Sequence, residues 1–513
     1  MNERISPIRN STEEKVEVAV CLWFAALVAG FVFASWHWPM VGDAAFMHYI
    51  IFLMHHGMAP YRDIADMNLP GSYLLEATSM EVFGPGSFGW RLYDFALLAI
   101  ASVSLITILR PRGRLAGITA SALFILIHGR DGVLMSGERD FAAAVFLLLA
   151  VALLFEGIRK RPSSALTYSL VGCSGIVSGL ACCVKPTLLP MVVALFLWMS
   201  WCLHKRSVSI TPFAIALIMG LIMPVIAMMD FLFRERVFHA FWGDLHGLIA
   251  YHAALDPVSL SYLVTQSISP LLGLFVLWIV AAFVLRKSQN DQERMALVLC
   301  AICGFLSYVL QRKGFWYQRY PFLAFLLPLF ATDFARLIQS RSRWRLVGIA
   351  GVVAGVVLAT QCLIRLDTFD HAEPARPLLA DLETIDSPQR LSSHIQCMDT
   401  IGDCLDTLYA ARIVQSTGFL YDCYLLDGNN PTVLALRRQF WYQLLLNPPK
   451  VIVVTDSVCY QPIRSFNKYG RWPEFQSYLA VNYTLARESG VQKLVRYWSR
   501  PLTPFAYRIY VRR

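Results

Sequence analysis

From Val16 to Ile364 the sequence is a succession of apolar runs of about 14 to 23 residues, broken by short polar connectors. A helix needs roughly 20 apolar residues to cross the hydrocarbon core of a bilayer. Backbone groups inside hydrocarbon must satisfy one another, so each run is read as a helix. This pattern excludes the several soluble domains that 513 residues would otherwise suggest. Composition agrees, with 56% hydrophobic residues, 16% charged and a mean hydropathy of +0.50.

The spans are placed near Val16–Trp38, Leu92–Leu109, Leu115–His128, Phe141–Phe155, Ala165–Val184 and Thr187–Leu203, then Ile210–Met229, Ser267–Leu285, Met295–Leu310, Pro321–Leu337 and Leu346–Ile364. That makes about eleven, with Leu115–His128 short for a full crossing. Val16–Trp38 is too long for a signal-peptide core and has no small-residue cleavage site, so it reads as a retained anchor. The net charge of +10 does not point to nucleic acid, because Lys and Arg concentrate in connectors rather than on one face. Alternate connectors around Arg110–Arg114, Arg159–Arg161, His204–Arg206, Arg286–Arg294 and Arg341–Arg345 are basic. The positive-inside rule places these in the cytoplasm with the N-terminus. The first loop, the segment ending Glu138-Arg139-Asp140, Lys185, the Asp230–Tyr262 loop and Gln311–Pro321 then lie outside, with the C-terminal tail. The expectation is an α-helical polytopic membrane domain over 1–364, with its first periplasmic loop at 39–91, in a bacterial inner membrane.

Residues 365–513 have the composition of a soluble domain. Val433–Leu446 and Trp472–Val481 have helical periodicity, while Val451–Thr455 and Tyr507–Val511 read as strands. A small periplasmic α/β domain is expected. No glycine-rich turn follows Val451–Thr455, so it is a core strand rather than a nucleotide site. Eight of the twelve cysteines lie in apolar runs; Cys397, Cys404, Cys423 and Cys459 lie in the tail and could form two disulfides in any of three pairings.

The chemistry-bearing residues crowd the outer segments. Asp43 follows the first span directly, where a carboxylate is costly unless it faces water or a partner. Within the same loop, Ala44–Met58 with His48, His55 and His56 suits a helix lying in the interface plane, and Asn68–Gly71 is a turn before a second helix, Ser72–Val82. Asp63 and Asp66 suit turns and caps. Glu138 and Asp140 precede a span, and Lys185 ends another. Arg312, Lys313, Tyr317, Arg319 and Tyr320 fall within ten residues. Cations there oppose the topology bias and suit an anionic ligand such as phosphate. Carboxylates beside phosphate-holding cations suit attack by an acceptor hydroxyl on a sugar carried by a lipid phosphate. Tyr317 and Tyr320 suit an interfacial belt and, secondarily, sugar stacking.

Gly42-Asp43, PYRDIADMNLPGSYLL (60–75) and FG–WRLYD (83–94) together resemble the GT-C superfamily of membrane glycosyltransferases. The branch they resemble is that of bacterial protein O-mannosyltransferases and aminoarabinose–lipid A transferases. GLACCVKPT (179–187) and QRKGFWYQRYP (311–321) are similar to further stretches of those enzymes. The resemblance implies an inverting transfer from a polyprenyl-phosphate sugar to a glycan, lipid or protein hydroxyl. Asp43 would then be the base or acceptor-positioning group, and Asp140 or Glu138 the second acid. Lys185, Arg312, Lys313 and Arg319 would contact the donor phosphate, and Asp66, Asn68, Tyr317 and Tyr320 the substrate. Ala44-Ala45 stand where many relatives place a second carboxylate, so a single-carboxylate base without metal or other cofactor is expected. The rival readings are a transporter or flippase of lipid-linked sugars and a non-catalytic assembly subunit. A transporter more often carries internal repeats and midplane charges.

Overall fold

The structure, a computed structural model, describes residues 11–160, 164–286, 291–340, 342–366, 375–399, 403–428, 430–458, 465–489 and 506–513. Arg161, Arg341 and Cys459 lie outside the described residues. The membrane part runs α1 (Ser11–Ser35), α2 (Asp43–His55), α3 (Pro70–Phe83), α4 (Ser87–Leu109), α5 (Arg114–Asp131), α6 (Arg139–Arg159), α7 (Ala165–Val184), α8 (Leu189–Lys205) and α9 (Thr211–Arg234). After three short helices, α10 (Phe238–Asp244), α11 (Ala250–Ala254) and α12 (Leu260–Ile268), come α13 (Leu272–Leu285), α14 (Gln292–Gln311), α15 (Tyr320–Gln339) and α16 (Arg345–Ile364).

Among the described residues nine helices are long and apolar enough to cross a membrane, and α12 with α13, bent by 86°, makes a tenth. The expected eleventh span, α5, falls short of that standard. It is rich in Gly, Ala, Ser and Thr, ends in His128-Gly129-Arg130-Asp131, and is buried over most of its length. Its neighbours α1, α4, α15 and α16 shield it from lipid, so it need not be as apolar as a lipid-facing helix.

Helices α7 and α9 touch backbone to backbone. A Cβ at Gly175 would lie 2.2 Å from the Leu217 carbonyl oxygen, and one at Gly220 would lie 2.1 Å from that of Gly172. Small residues permit such an approach where hydrocarbon gives helices no hydrophobic reason to associate.

The C-terminal part contains α17 (Ala375–Glu383), α18 (Pro388–Leu391), α19 (Asp403–Ala410), α20 (Pro431–Leu446) and α21 (Pro473–Asn482). Its strands are β2 (Ile395–Met398), β4 (Val451–Thr455), β5 (Tyr483–Ser489) and β6 (Tyr507–Arg512) in the order β2-β4-β6-β5. Strands β2 and β4 are parallel, while β6 runs antiparallel to both β4 and β5. Every residue of β4 is buried, as its unbroken apolar run demands of a strand covered on both faces. Cys397 and Cys404 form a disulfide across seven residues. Cys423 is buried. A second, two-stranded parallel sheet joins β1 (Ile64–Ala65) of the first loop to β3 (Gly418–Phe419) of this part.

The first loop departs from the interfacial expectation. Ala45 to Leu53 of α2 are all buried, and only His55 and His56 at its end are exposed. His48 is 1% exposed and paired with Glu76 of α3 at 2.5 Å. The helix is apolar nearly all round, and such a helix belongs in a core. Here it lies under the C-terminal part, packed against α19 and Tyr421.

Candidate active site

The segment Gly132–Asp140 is held from below by the WRLYD stretch of α4. Trp90 donates its indole N–H to the Ser136 carbonyl at 3.0 Å, and Arg91 donates to the Ser136 hydroxyl at 3.1 Å. Asp94 accepts from the Gly137 backbone N–H at 2.6 Å and is paired with Arg91 and with His128. Gly137 has φ +61, and a Cβ there would lie 2.5 Å from the Trp90 ring. Only glycine meets both demands without strain. The motif is therefore architectural: it sets where α6 begins, and with it Glu138, Arg139 and Asp140.

Arg139 is the centre of the arrangement. It bonds Asp43 at 3.0 Å, donates to the Asn68 side-chain oxygen and lies 3.6 Å from Glu138. Asp43 is the first residue of α2, where the helix dipole favours a carboxylate. Its side chain is 25% exposed, against 3% for Glu138 and 8% for Asp140. It is the one carboxylate of the three with open access to solvent or substrate. Asn68 in turn donates to Asp66 at 2.7 Å, and the Tyr73 hydroxyl donates to the same oxygen at 2.7 Å. Burial raises the pKa of Asp66, while Tyr73, Asn68 and Arg139 oppose the rise. Burial likewise lifts Asp244, on the loop above, to about 7, with the Asp66 charge adding to the effect.

Asp140 is paired with Lys185. Beside it α3 meets the end of α7, where a Cβ on Gly71 would lie 2.4 Å from the Cys183 carbonyl oxygen. Glu138 caps α6, accepting from the Asp140 N–H at 2.6 Å. Burial and then the Asp140 charge push Glu138 up to about 8; Asp43 adds to the rise, and Arg139 and Lys185 oppose it. A carboxyl raised from 4.5 to about 8 takes up a proton on folding. The stability so contributed is fully present below about 4.5 and is lost as pH rises through 8. Glu138→Gln should therefore flatten the fall in melting temperature over that window. An unchanged slope in melting curves across the window would show that Glu138 does not titrate there.

The expected phosphate segment divides. Lys313 is buried and donates to the Leu255 carbonyl, and Tyr317 lies within electrostatic reach of Asp43, Glu138, Asp140 and Arg139. Arg312, with φ +52 at the end of α14, is exposed. Arg319 and Tyr320 turn inward. Arg319 is 1% exposed, donates twice to Asp131 at 2.7 Å, and also donates to the Gln266 carbonyl at 2.8 Å and the Ser269 carbonyl. The Tyr320 hydroxyl meets Asp131 at 3.3 Å and His128 at 3.1 Å. A short 3-10 turn over Trp316–Arg319 sends neighbouring residues in different directions.

Other groups complete the site. His252 lies within electrostatic reach of Lys313 and Lys185 and, with burial the larger cause, is held down to about 3, so it is neutral. Its ring nitrogen meets the Tyr424 hydroxyl at 3.0 Å, and that hydroxyl also lies 3.1 Å from the Met67 sulfur. Tyr421 faces Arg139 electrostatically and packs on Phe46 at 4.3 Å. Arg139 carried a readable signal, a cation between two acids on the side that disfavours cations. His252, Tyr421 and Tyr424 carried none, since they are brought in from loops far away in the chain. Among the described residues no three His, Cys, Asp or Glu side chains converge as a metal site.

No protein-family model matches the chain, and no curated protein matches it in sequence. Solved structures do match in fold. ArnT from Cupriavidus metallidurans in the apo state superposes with a TM-score of 0.59 at 13% identity, over 96% of this chain and 98% of that one. The same protein bound to undecaprenyl phosphate gives 0.58 at 12% identity over the same shares. The apo Archaeoglobus fulgidus oligosaccharyltransferase gives 0.52 at 12% identity, over 87% of this chain and 70% of that one. The chain has the GT-C fold of these membrane glycosyltransferases.

Proposed function

We propose that this GT-C-fold protein is an inverting glycosyltransferase that moves a sugar from a polyprenyl phosphate to a hydroxyl of a glycan, lipid or protein outside the cytoplasm. The observation that carries the reading is the convergence, on one face of the bundle, of the accessible Asp43–Arg139 pair and the Asp140–Lys185 pair. The undecaprenyl phosphate seen in the ArnT complex supports the donor class.

In this reading Asp43 takes the proton as the acceptor oxygen attacks the anomeric carbon. The bond from that carbon to the phosphate oxygen breaks, and the polyprenyl phosphate leaves with the electron pair. Lys185 and Lys313, with neutral His252 between their fields, stabilise the charge developing on the phosphate. Arg139 aims the free oxygen of Asp43, and buried Asp140 holds Lys185 in place. Asn68 and Tyr317 line the substrate side, and buried Asp66 stands behind them holding Asn68. Arg312 is an outer contact for the donor head group. Arg319 and Tyr320 act from below by fixing the turn that presents Tyr317.

Transfer needs no soluble nucleotide donor, and the first test follows from that. Purified protein incubated with a panel of polyprenyl-phosphate sugars and hydroxyl acceptors should yield a glycosylated product by mass spectrometry. Movement of an intact lipid-linked sugar between leaflets without bond cleavage would establish a transporter instead.

A further inference from the structure

The C-terminal α/β part is stitched to the first loop at several points. The Tyr49 hydroxyl of α2 donates to the Ile413 carbonyl at 3.1 Å and accepts from the Gln415 N–H at 3.0 Å. Strands β1 and β3 pair in register, Ile64 with Gly418 and Ala65 with Phe419. Gln443 of α20 donates to the Asp63 carbonyl at 2.9 Å and accepts from the Gly418 N–H at 2.8 Å. Gln439 donates to the Arg62 carbonyl at 2.8 Å. The strands approach so closely that a Cβ on Gly418 would lie 1.9 Å from the Asp63 carbonyl oxygen.

The residues after β1 lead straight to the base. Ala65 is followed by Asp66, which holds Asn68; Asn68 accepts from Arg139, and Arg139 binds Asp43. A chain of polar contacts therefore runs from β3 to the candidate base. The first loop holds this turn with bonds of its own, the Tyr61 hydroxyl donating to the Asn68 carbonyl at 2.6 Å and Tyr73 to Asp66 at 2.7 Å, but the strand that leads into it, β1, is two residues long and has its sheet partner in β3.

We propose that the C-terminal part positions the catalytic base: by lending β3 to the first loop it fixes the Asp66–Asn68 turn, and through Arg139 the direction of Asp43. Tyr49, Gly418 and Gln443 are positioning residues, none of which touches substrate. The proposal rests on the transferase reading and adds to it a role for the C-terminal part in the chemistry. It also separates two sides of the site. The phosphate cations Lys185 and Lys313 sit at the end of α7 and after α14, outside the stitched segment.

The test uses full-length Gly418→Ala and Tyr49→Phe proteins. Alanine at 418 forces β1 and β3 apart, while phenylalanine at 49 keeps the ring and removes the two junction hydrogen bonds. Amide hydrogen exchange over 64–68 should quicken in both, and kcat should fall by about tenfold or more, since small misplacements of reacting groups are costly. The KM for the lipid donor should stay within about twofold of the parent value. If Gly418→Ala does not fold, Tyr49→Phe carries the test. Quickened exchange with parental kcat overturns the proposal, as does unchanged exchange in both variants. Loss of kcat and donor affinity together, in step with a lower melting temperature, overturns it in favour of a purely structural junction. A parent protein that transfers no sugar would defeat the transferase reading, whereas the exchange measurement tests the junction regardless of activity.

Discussion

Replacing Asp43 by Asn is expected to lower turnover by about a thousandfold, within the range that general base catalysis contributes. Asparagine has the shape of aspartate and can still accept from Arg139, so the 3.0 Å contact survives in outline. What it lacks is the ability to take the acceptor's proton. The fold should tolerate the change, since losing a charge at the first position of a helix costs roughly 0.3–1 kcal/mol. Donor binding should persist too, because Lys185 and Lys313 are untouched. Single-turnover product formation by mass spectrometry, alongside a melting curve, checks both halves. Near-parental turnover in a well-folded variant would remove Asp43 from the role of base.

Arg319→Met is expected to fail in a different manner, through stability. Arg319 is 1% exposed and Asp131 has a fully buried side chain, so the variant strands a carboxylate inside the bundle. Breaking such a pair on one side costs about 3–5 kcal/mol, whereas removing both charges is often nearly neutral. Arg319→Met should accumulate poorly and melt well below the parent, and adding Asp131→Leu should restore much of the loss. Whatever Arg319→Met protein folds should keep its donor KM. Exposed Arg312→Gln should leave the melting temperature within error. A stable Arg319→Met protein with a raised donor KM would return Arg319 to the phosphate.

These expectations mark where the sequence is legible. Apolar length located the membrane helices, and the cost of ionisable groups at span ends pointed to Asp43, Glu138, Asp140 and Lys185, which the structure brings together in two ion pairs around Arg139 and Lys185. The choice among Arg312, Lys313 and Arg319 was not readable, because it depends on a left-handed residue and a four-residue 3-10 turn. The burial of α2 was legible, since AFMHYIIFL has no polar face and His48 is its one residue that can be charged near neutral pH. His252 and Tyr424 meet across 172 residues, a distance at which local pattern carries no information. The role of the WRLYD stretch was hidden for the same reason, since Ser136 and Gly137 become its partners only once α4 and α6 are packed.

The backbone contact between α7 and α9 has a bearing on the lipid around the protein. Two helices in contact along glycines leave no gap for an acyl chain and no compliant side-chain layer between them. They tilt or shift as one body when the bilayer thickens or thins. Lys185 ends α7, and so it moves with that pair rather than on its own. In the proposed reaction the donor phosphate would thus meet a cation whose position follows the α7–α9 pair as a unit.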